Sequence, residues 1–263
     1  MSNNILDLKG RVGLITGAGQ GVGRAAALHF AQNNAGVVVV NDFHLDRAQT
    51  VAAEVEQAGC KALAVQCDVT SFESVTAMFE KVEAECGGVD ILVNNAGNSG
   101  ADPGAASQAP FWEQTPGNWG PFLNVNLFGV MHCVRAALPA MIAKKYGKIV
   151  NVISDAGRVG EPGLEAYSAA KAGAAGFTRA IAKSTARFGI TANCVSLASI
   201  RTPMTEEQLK DETAVKAMLS RYIIRRVGEP VDAANMILFV ASDASSWITG
   251  QTYPVNGGYS IAM

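Results

Sequence analysis

Short apolar runs rich in β-branched residues alternate along the chain with longer amphipathic or alanine-rich segments. The predicted strands are residues 12–16, 37–41, 62–66, 91–94, 148–153 and 191–195. The predicted helices are residues 24–32, 46–58, 72–85, 121–144 and 167–187. Unbroken apolar strands such as 37–40 are typical of a parallel sheet that is covered on both faces. The pattern therefore predicts an α/β fold, a doubly wound parallel sheet of Rossmann-like type with helices on both faces.

No repeat or low-complexity linker divides the sequence, so residues 1–263 are interpreted as a single domain. The one stretch rich in Gly, Pro and Ser, residues 98–110, is short enough to be a surface loop. Residues 199–222 follow the sixth predicted strand and have a weakly amphipathic pattern. Because ligands of open α/β sheets bind beyond the carboxyl ends of the strands, this segment is predicted to be a substrate lid. The alternative interpretation is an ordinary surface helix.

Composition excludes several classes of function. The 263 residues are 49% hydrophobic and 17% charged, with a formal net charge of −2, as in an ordinary globular protein. Lysine and arginine are scattered along the chain, so no basic surface favours a nucleic-acid partner. The start of the sequence lacks the features of a signal peptide, and the apolar runs are short or interrupted. We therefore expect a cytoplasmic protein with no membrane partner.

The cysteines and histidines form no pattern that is typical of a metal site or a disulfide framework. Five cysteines are present without a CxxC pair, and three histidines without an HExxH spacing. A cysteine outside such patterns is more often a small buried apolar residue. No metal is therefore expected.

A glycine-rich turn follows the first predicted strand and leads directly into a helix. The sequence from Thr16 to Gly23 is TGAGQGVG. Glycines at this spacing allow a tight turn, let the backbone approach a pyrophosphate closely and permit close packing of the helix, whose N-terminus attracts an anion. Its place between strand and helix favours a dinucleotide site. The candidate phosphate contacts are Gly17, Gln20, Gly21, Val22 and Gly23.

An acidic residue, Asp42, lies at the tip of the second predicted strand. A carboxylate there can accept hydrogen bonds from the adenosine ribose hydroxyls, but it repels a 2′-phosphate. Gln20 agrees, because a basic residue in the glycine turn would offer that phosphate a partner. The sequence therefore favours NAD over NADP as the cofactor. The alternative role for Asp42 is to cap a turn.

Several motifs, in order, resemble those of the classical short-chain dehydrogenase/reductase family, over nearly the whole chain. The glycine turn is similar to the family's TGxxxGxG, residues 94–97 to its NNAG segment, and Tyr167 with Lys171 to its YxxxK. The resemblance implies hydride transfer between a nicotinamide and a hydroxyl or carbonyl carbon. Further cofactor contacts implied by the family are Asp68, Val69, Asn95, Ala96, Gly97, Tyr167, Lys171, Ile200 and Thr202.

The same resemblance implies a catalytic tetrad of Asn126, Ser154, Tyr167 and Lys171. Residues four apart on a helix share one face, so Tyr167 and Lys171 are predicted neighbours. An unperturbed phenol titrates near ~10, and a nearby ammonium favours the phenolate. Lys171 is therefore expected to lower the pKa of Tyr167, and also to hold the nicotinamide ribose. Ser154 would hydrogen-bond the substrate oxygen, and Asn126 would hold a water that links Lys171 to solvent.

The sequence departs from the family at Leu197 and Ala198, where Pro-Gly is usual. Loss of a glycine removes access to positive φ, so the loop around the nicotinamide is expected to differ in shape from that of the family. The tail 248–258 is similar to the family's last strand. In the family this strand and two long helices, here near residues 126–144 and 167–187, form homotetramers, so a homotetramer is expected.

The sequence thus predicts an NAD-dependent secondary-alcohol dehydrogenase or ketoreductase with a small-molecule substrate. Residues Asp155, Arg158 and Glu161 would give the substrate site polar walls, and the candidate apolar walls are Phe111, Trp112, Met204 and Met218. A bulky alicyclic, steroid-like or hydroxyacyl-thioester compound is the expected substrate, with a polyol or sugar as the alternative. A non-catalytic NAD-binding regulator or scaffold, or an enzyme of dehydration or epimerisation, are the other interpretations.

Overall fold

The structure is a computed structural model that describes residues 4–97 and 109–261. Within these residues seven strands form one sheet in the order β3-β2-β1-β4-β5-β6-β7, and every neighbouring pair is parallel. The strands are β1 (Val12–Ile15), β2 (Val37–Asp42), β3 (Lys61–Gln66), β4 (Ile91–Asn94), β5 (Gly147–Ser154), β6 (Ile190–Leu197) and β7 (Thr252–Val255). The predicted fold class, one domain built on a doubly wound parallel sheet, is confirmed. Most of the predicted loop 98–110 lies outside the described residues.

Nine α-helices surround the sheet in the described part of the chain. They are α1 (Gly21–Gln32), α2 (Leu45–Gln57), α3 (Phe72–Cys86), α4 (Gly120–Leu123), α5 (Val130–Lys144), α6 (Ala156–Val159), α7 (Glu165–Thr185), α8 (Glu212–Leu219) and α9 (Pro230–Ala241). The sequence predicted one uninterrupted helix over 121–144. Instead, a π-helical segment, Asn124–Gly129, separates α4 from α5. Segments of this kind are frequent at functional sites.

The sheet is buried on both faces, which explains why its strands have unbroken apolar sequences. Leu14 and Ile15 are adjacent in β1 and both fully buried, yet they point into different cores. Ile15 packs with residues of α1, α2 and α9, whereas Leu14 packs with residues of α3 and α5. Full burial of such a side chain contributes about 1.5–3 kcal/mol. Apolar residues are therefore favoured at successive strand positions, not at alternate ones.

The strand order reverses between β1 and β4, and this switch point defines the crevice in which ligands bind. Ile15 pairs with Val93 in the parallel ladder, so Thr16 emerges beside the NNAG segment. The chain leaves the carboxyl ends of both strands at the same edge of the sheet. That edge collects the glycine turn, Asp42, Ser154 and the residues that follow β6.

The predicted lid, residues 199–222, contains a 3₁₀ turn (Gln208–Lys210) followed by α8. The Asp211 side chain caps α8 by accepting hydrogen bonds from the backbone N–H groups of Thr213 and Ala214, each at 3.0 Å. No residue of α8 is fully buried. A lid function for this segment stays a prediction.

By length and composition alone, one helical run among the described residues, Pro116–Lys144, could cross a membrane. It includes α5, which contributes five buried residues to the core beside the sheet. Because a core helix of a soluble protein passes the same test, this run is weak evidence for a membrane-spanning helix.

Candidate active site

A cavity of about 580 Å³ opens at the carboxyl edge of the sheet, around the switch point. Most of the residues singled out in the sequence line it. They are Gly17, Gln20, Gly21, Val22, Asp42, Asp68, Val69, Asn95, Ala96, Gly97, Ser154, Tyr167, Lys171, Ile200 and Thr202. Gly23 and Asn126 are absent from its wall. The cavity therefore joins the candidate cofactor contacts to three of the four candidate catalytic side chains.

The glycine turn has the backbone that a phosphate cradle requires. Gly17 and Gly21 have φ values of 60° and 55°, a left-handed conformation that favours glycine. A Cβ at Gly17 would lie 2.9 Å from the Ala96 Cα, so a side chain there would collide with backbone. Helix α1 begins at Gly21, which directs its unpaired N–H groups and positive dipole end towards the turn. These residues fit a dinucleotide pyrophosphate.

Asn95 ties the glycine turn to the fourth strand. Its Nδ2 donates hydrogen bonds to the carbonyls of Thr16 and Gly17, at 3.0 and 2.9 Å. In return, the Thr16 hydroxyl accepts from the N–H groups of Asn95 and Ala96, at 3.0 and 3.1 Å. The turn is thus fixed across the switch point by four hydrogen bonds.

Gly23 packs closely behind the glycine turn and does not line the cavity. A Cβ at Gly23 would lie 2.5 Å from the Gly17 carbonyl oxygen and 2.6 Å from the Asn95 Nδ2. Only a glycine allows α1 to lie this close to the turn. Gly23 therefore supports the turn from behind, and its predicted contact with the cofactor stays a prediction.

Asp42 is buried at the end of the cavity that lies beyond β2, with two backbone donors. Its Oδ2 accepts from the Gly19 N–H and its Oδ1 from the His44 N–H, both at 3.0 Å. A carboxylate has about four acceptor positions, so two are left for ribose hydroxyls. Both predicted roles of Asp42, a turn cap and a potential ribose acceptor, are compatible with this geometry.

Phe43, His44 and Arg47 also line this end of the cavity, and the sequence interpretation missed them. A Cβ at Gly19 would lie 2.5 Å from the Arg47 Cβ and 2.7 Å from Asp42 Oδ2. The Arg47 stem therefore packs against the glycine turn beside the carboxylate. Its position in the first turn of α2, five residues after Asp42, was the available signal.

Asp68 and Val69 line the cavity beyond β3. The Asp68 Oδ1 accepts hydrogen bonds from the Thr70 N–H at 2.9 Å and from the Thr70 hydroxyl at 2.8 Å. This Asx turn fixes the backbone of both residues at the cavity wall.

Ser154, the last residue of β5, meets Tyr167, which lies in the first turn of α7. The Ser154 hydroxyl lies beside the Tyr167 phenol and acts on its pKa as a hydrogen-bond donor, and it accepts from the Ala156 N–H at 3.2 Å. The Phe122 ring lies edge-on to the Tyr167 ring, with the centroids 6.1 Å apart. Tyr167 and Ser154 thus present adjacent hydroxyl groups to one point in the cavity.

Lys171 is buried one helical turn after Tyr167. Its Nζ donates to the Val152 carbonyl at 2.9 Å and lies 5.7 Å from the centroid of the Tyr167 ring. Burial lowers the pKa of Lys171 to about 8, because the charged ammonium loses its hydration. The two residues are neighbours, as their spacing of four predicts.

The expected lowering of the pKa of Tyr167 is wrong for this structure. Burial raises the pKa of Tyr167 to about 12, and the hydrogen bond from Ser154 opposes this rise without cancelling it. Loss of hydration on burial disfavours the charged phenolate. The phenol is therefore protonated at neutral pH.

Asn126 lies behind the cavity wall and not in it. It is fully buried in the π-helical segment, and its Nδ2 donates to the Phe122 carbonyl at 2.8 Å. A Cβ at Gly97 would lie 3.2 Å from Asn126 Oδ1 and 3.4 Å from Lys171 Nζ. The side chains of Asn126 and Lys171 therefore converge on Gly97.

The loop after β6 forms without the glycine that the family usually has. Neither Leu197 nor Ala198 has a positive φ, so the alanine is unstrained. Ile200 forms a parallel bridge with Gly228. A Cβ at Gly21 would lie 3.2 Å from the Thr202 Cγ2, which places Thr202 over the glycine turn.

The substrate side of the site differs from the expected set of walls. Met204 lines the cavity, whereas Trp112 is 83% exposed and Phe111 stacks on Trp119. Asp155 was expected in a polar wall, but it is 1% exposed. Its carboxylate therefore interacts with donors inside the protein and does not line the cavity.

Comparison with known proteins agrees with this geometry. Residues 17–260 match the family model described as enoyl-(acyl carrier protein) reductase. The chain is 36% identical to a 3-oxoacyl-(acyl-carrier-protein) reductase of Staphylococcus epidermidis, over 93% of this chain and 97% of the relative. It is 38% identical to the BbsD subunit of (2S)-((R)-hydroxy(phenyl)methyl)succinyl-CoA dehydrogenase of Thauera aromatica, over 97% and 99%.

A solved structure is also similar, a gluconate 5-dehydrogenase of Burkholderia cenocepacia in complex with NADP and tartrate. It superposes with a TM-score of 0.90 at 32% identity, over 99% of both chains. The motifs, the sheet order, the joined cavity and the extent of these matches lead to one conclusion. The chain belongs to the short-chain dehydrogenase/reductase family of oxidoreductases, enzymes that bind a nicotinamide dinucleotide.

Proposed function

We propose that the protein is an NAD(H)-dependent oxidoreductase that interconverts a ketone and a secondary alcohol on an acyl thioester. The observation that carries the proposal is the placement of Ser154, Tyr167 and Lys171 in the wall of one cavity with the glycine turn. A bound nicotinamide dinucleotide supplies hydride chemistry. The chain's own residues supply proton transfer and orientation.

Tyr167 is proposed as the acid–base residue. Because its phenol is protonated at neutral pH, it is ready to give its proton to a ketone oxygen as that oxygen gains charge. Ser154 donates a second hydrogen bond to the same oxygen. In the opposite direction Tyr167 accepts the proton of the alcohol.

Lys171 is proposed to hold a ribose hydroxyl and to stabilise the phenolate that forms at Tyr167. Asn126 lies beside Lys171 behind Gly97. This position suits a role in replenishing the proton of Lys171 through a water.

NAD preference rests on Asp42. Its carboxylate is oriented by two backbone N–H groups and would face a 2′-phosphate at close range, which is unfavourable. Two observations favour NADP instead: Arg47 lines the same end of the cavity, and the gluconate dehydrogenase was solved with NADP. Separate substitutions of Asp42 and Arg47 can show which residue sets the cofactor preference.

Calorimetric titration with NADH and NADPH decides the cofactor. We expect tighter binding of NADH by the wild type and a gain in NADPH affinity of about 10-fold in Asp42→Ala, equivalent to ~1.4 kcal/mol. Arg47→Gln is the matched variant and should leave NADH affinity within about threefold, since its loss removes no ribose acceptor. Tighter NADPH binding by the wild type that is lost in Arg47→Gln would overturn the NAD assignment.

The thioester substrate is supported by two relatives whose names specify acyl thioesters. Initial rates with 3-oxoacyl-CoA, 3-hydroxyacyl-CoA, cyclic alcohols and gluconate compare the candidate classes, including the polyol or sugar alternative. We expect turnover of a thioester and a loss of at least about 100-fold in Tyr167→Phe. Turnover of gluconate alone would replace the thioester, and NADH binding with no turnover of any compound would favour a non-catalytic regulator or scaffold.

A homotetramer is proposed as the assembly. Apolar side chains are exposed on the helical run and next to β7: Phe128 is 45% exposed, Met131 38% and Trp247 99%. Contacts between copies would cover these apolar side chains. Light scattering at several concentrations tests the assembly, and a monomer at all of them would contradict it.

A further inference from the structure

A buried carboxylate that the proposed chemistry does not use follows Ser154 directly in the chain. The Asp155 side chain is 2% exposed and accepts hydrogen bonds from three separate parts of the molecule. Its Oδ1 accepts from Ser196 Oγ (2.7 Å) and Arg158 NH1 (2.8 Å), and its Oδ2 from Asn256 Nδ2 (2.6 Å) and Ser260 Oγ (2.7 Å). These four donors match the acceptor capacity of a carboxylate. Asp155 therefore has no acceptor position left for a substrate or a metal.

The hydrogen-bond donors around Asp155 favour its charged form. Burial on its own would raise its pKa, but hydrogen bonds from Asn256, Ser260, Ser196 and Arg158 together lower it. A carboxylate with this set of donors is stabilised as the anion. Removing the charge would leave several buried donors without acceptors, which is costly.

The backbone around Asp155 controls the Ser154 hydroxyl. The Asp155 N–H donates to the Leu197 carbonyl at 2.9 Å, and the next N–H, of Ala156, donates to Ser154 Oγ at 3.2 Å. This N–H occupies a lone pair of the serine oxygen. The hydroxyl proton is then available to point towards Tyr167 and the substrate.

Helix α6 is fixed on its other side by close packing. A Cβ at Gly157 would lie 2.7 Å from both Lys171 Cβ and the Ala172 nitrogen. The turn 154–157 therefore packs closely between β6 and α7, with no room for a side chain at position 157. Asp155 is the polar anchor of this turn, and Gly157 is its packing contact.

The C-terminal tail is the third element that Asp155 holds. Arg158 NH1 also donates to Ser260 Oγ at 2.8 Å, and the Tyr259 hydroxyl donates to Glu161 at 2.7 Å. The Tyr259 ring lies 5.2 Å from that of Tyr222, at the end of the predicted lid. The tail thus connects the loop after β5 to the segment after β6.

We propose that Asp155 is a positioning residue that sets the orientation of the Ser154 hydroxyl by clamping α6 and the tail residues 256–260 against the end of β6. The inference rests on the proposed function, because its catalytic consequence requires that Ser154 contact the substrate oxygen. Its structural part, the clamp, can be measured without turnover.

The test combines Asp155→Asn with Ser154→Ala. The asparagine keeps the shape but turns one acceptor into a donor that faces other donors. In the wild-type background we expect kcat to fall about 10- to 100-fold, as for a catalytic group displaced by a fraction of an ångström, with the Kd for NADH changed less than about threefold. In the Ser154→Ala background the same change should lower kcat by less than about threefold, because the two residues act through one hydroxyl.

Asp243→Asn is the matched control, since Asp243 is a hydrogen-bonded and ion-paired aspartate at the opposite edge of the sheet. It should lower the melting temperature and leave kcat unchanged. If Asp155→Asn lowered kcat by the same factor with and without the serine, Asp155 would be merely structural and the proposal would be overturned. Should Asp155→Asn not fold, Ser260→Ala, which removes one donor, is expected to give a smaller loss with the same dependence on Ser154.

Hydrogen exchange separates this inference from the proposed function. In Asp155→Asn, the amides of residues 156–161 and 256–260 should exchange faster than in the wild type, while those of β1 and β2 do not. A wild type that turns over no substrate would refute the proposed function but leave this measurement decisive. Unchanged exchange at both segments would show that Asp155 clamps nothing.

Discussion

The opposed pKa shifts of Tyr167 and Lys171 predict how the rate of ketone reduction depends on pH. Burial raises the pKa of Tyr167 to about 12 and lowers that of Lys171 to about 8. Reduction requires the protonated phenol, which persists at all pH values below 12, and the charged ammonium, which does not. The ammonium is about 90% populated one pH unit below its pKa and about 10% one unit above it. The value of kcat/KM should therefore be flat up to about pH 7 and fall about tenfold per unit above pH 8.

Alcohol oxidation should have a different profile, because it requires the phenolate together with the ammonium. Below pH 8 the phenolate fraction rises about tenfold per pH unit, and the rate rises with it. Between pH 8 and pH 12 the rise in phenolate and the loss of ammonium cancel, so the rate should reach a plateau. The two directions therefore share one inflection near pH 8, where the slope of log rate against pH falls by one in each direction: from 0 to −1 for reduction and from +1 to 0 for oxidation.

Initial rates in both directions, followed by NADH absorbance from pH 6 to pH 10, test this reasoning. Lys171→Met is the informative variant, since its reduction rate should be low and lack the inflection near pH 8. A wild-type reduction profile that stayed flat to pH 10 would refute the requirement for a charged Lys171. An inflection that survived in Lys171→Met would assign it to another group.

Three further outcomes follow from the packing and charges of the described residues. Gly157→Ala should destabilise the fold by about 1–3 kcal/mol and lower kcat, as measured by urea unfolding and initial rates. Gly117→Ala is the control and should change neither, because a Cβ there would meet only Thr115 Oγ1 at 3.6 Å. The pKa of Asp243 is lowered from 3.8 to about 2; burial alone would raise it, but the hydrogen bonds from Lys9 and Arg11 outweigh that effect. The stabilisation from Asp243 is therefore present above about pH 4 and lost as the pH falls through 2. Asp243→Asn should lower the free energy of unfolding at pH 7 by about 1–2 kcal/mol after solvent screening. Urea unfolding should show that this difference between variant and wild type disappears in acid. Ala198→Gly should leave the Kd for NADH within about twofold by calorimetry, because the alanine does not occupy a conformation reserved for glycine; a large gain in affinity would contradict this.

The sequence predicted the parallel sheet because its signal is local. A strand such as β2 is an unbroken apolar run, and the glycine turn and the YxxxK spacing are short motifs with a fixed structural context. Strand ends were predicted to within one or two residues for β1, β2, β5 and β6. The π-helical segment before α5 was not predicted, since it interrupts a helix without a change in apolar pattern.

Electrostatic properties of the site were harder to predict because they depend on burial and on distant residues. The pKa of Tyr167 was expected to fall and instead rises, since desolvation cannot be deduced from a spacing of four. Asp155 was expected to face the substrate, but its partners Ser196, Asn256 and Ser260 are 41 to 105 positions away in the chain. Only the folded structure brings these donors to one carboxylate.

The ties between Asn95 and the glycine turn also bear on the kinetics of cofactor association. A loop that becomes ordered only when its ligand arrives loses conformational entropy at that moment, and its association is slowed by the search for the bound form. Here four hydrogen bonds across the switch point order the turn in advance. Docking of the pyrophosphate should then resemble the collision of two rigid bodies, and any slow phase in stopped-flow binding would originate in the segment after β6 and not in the turn itself.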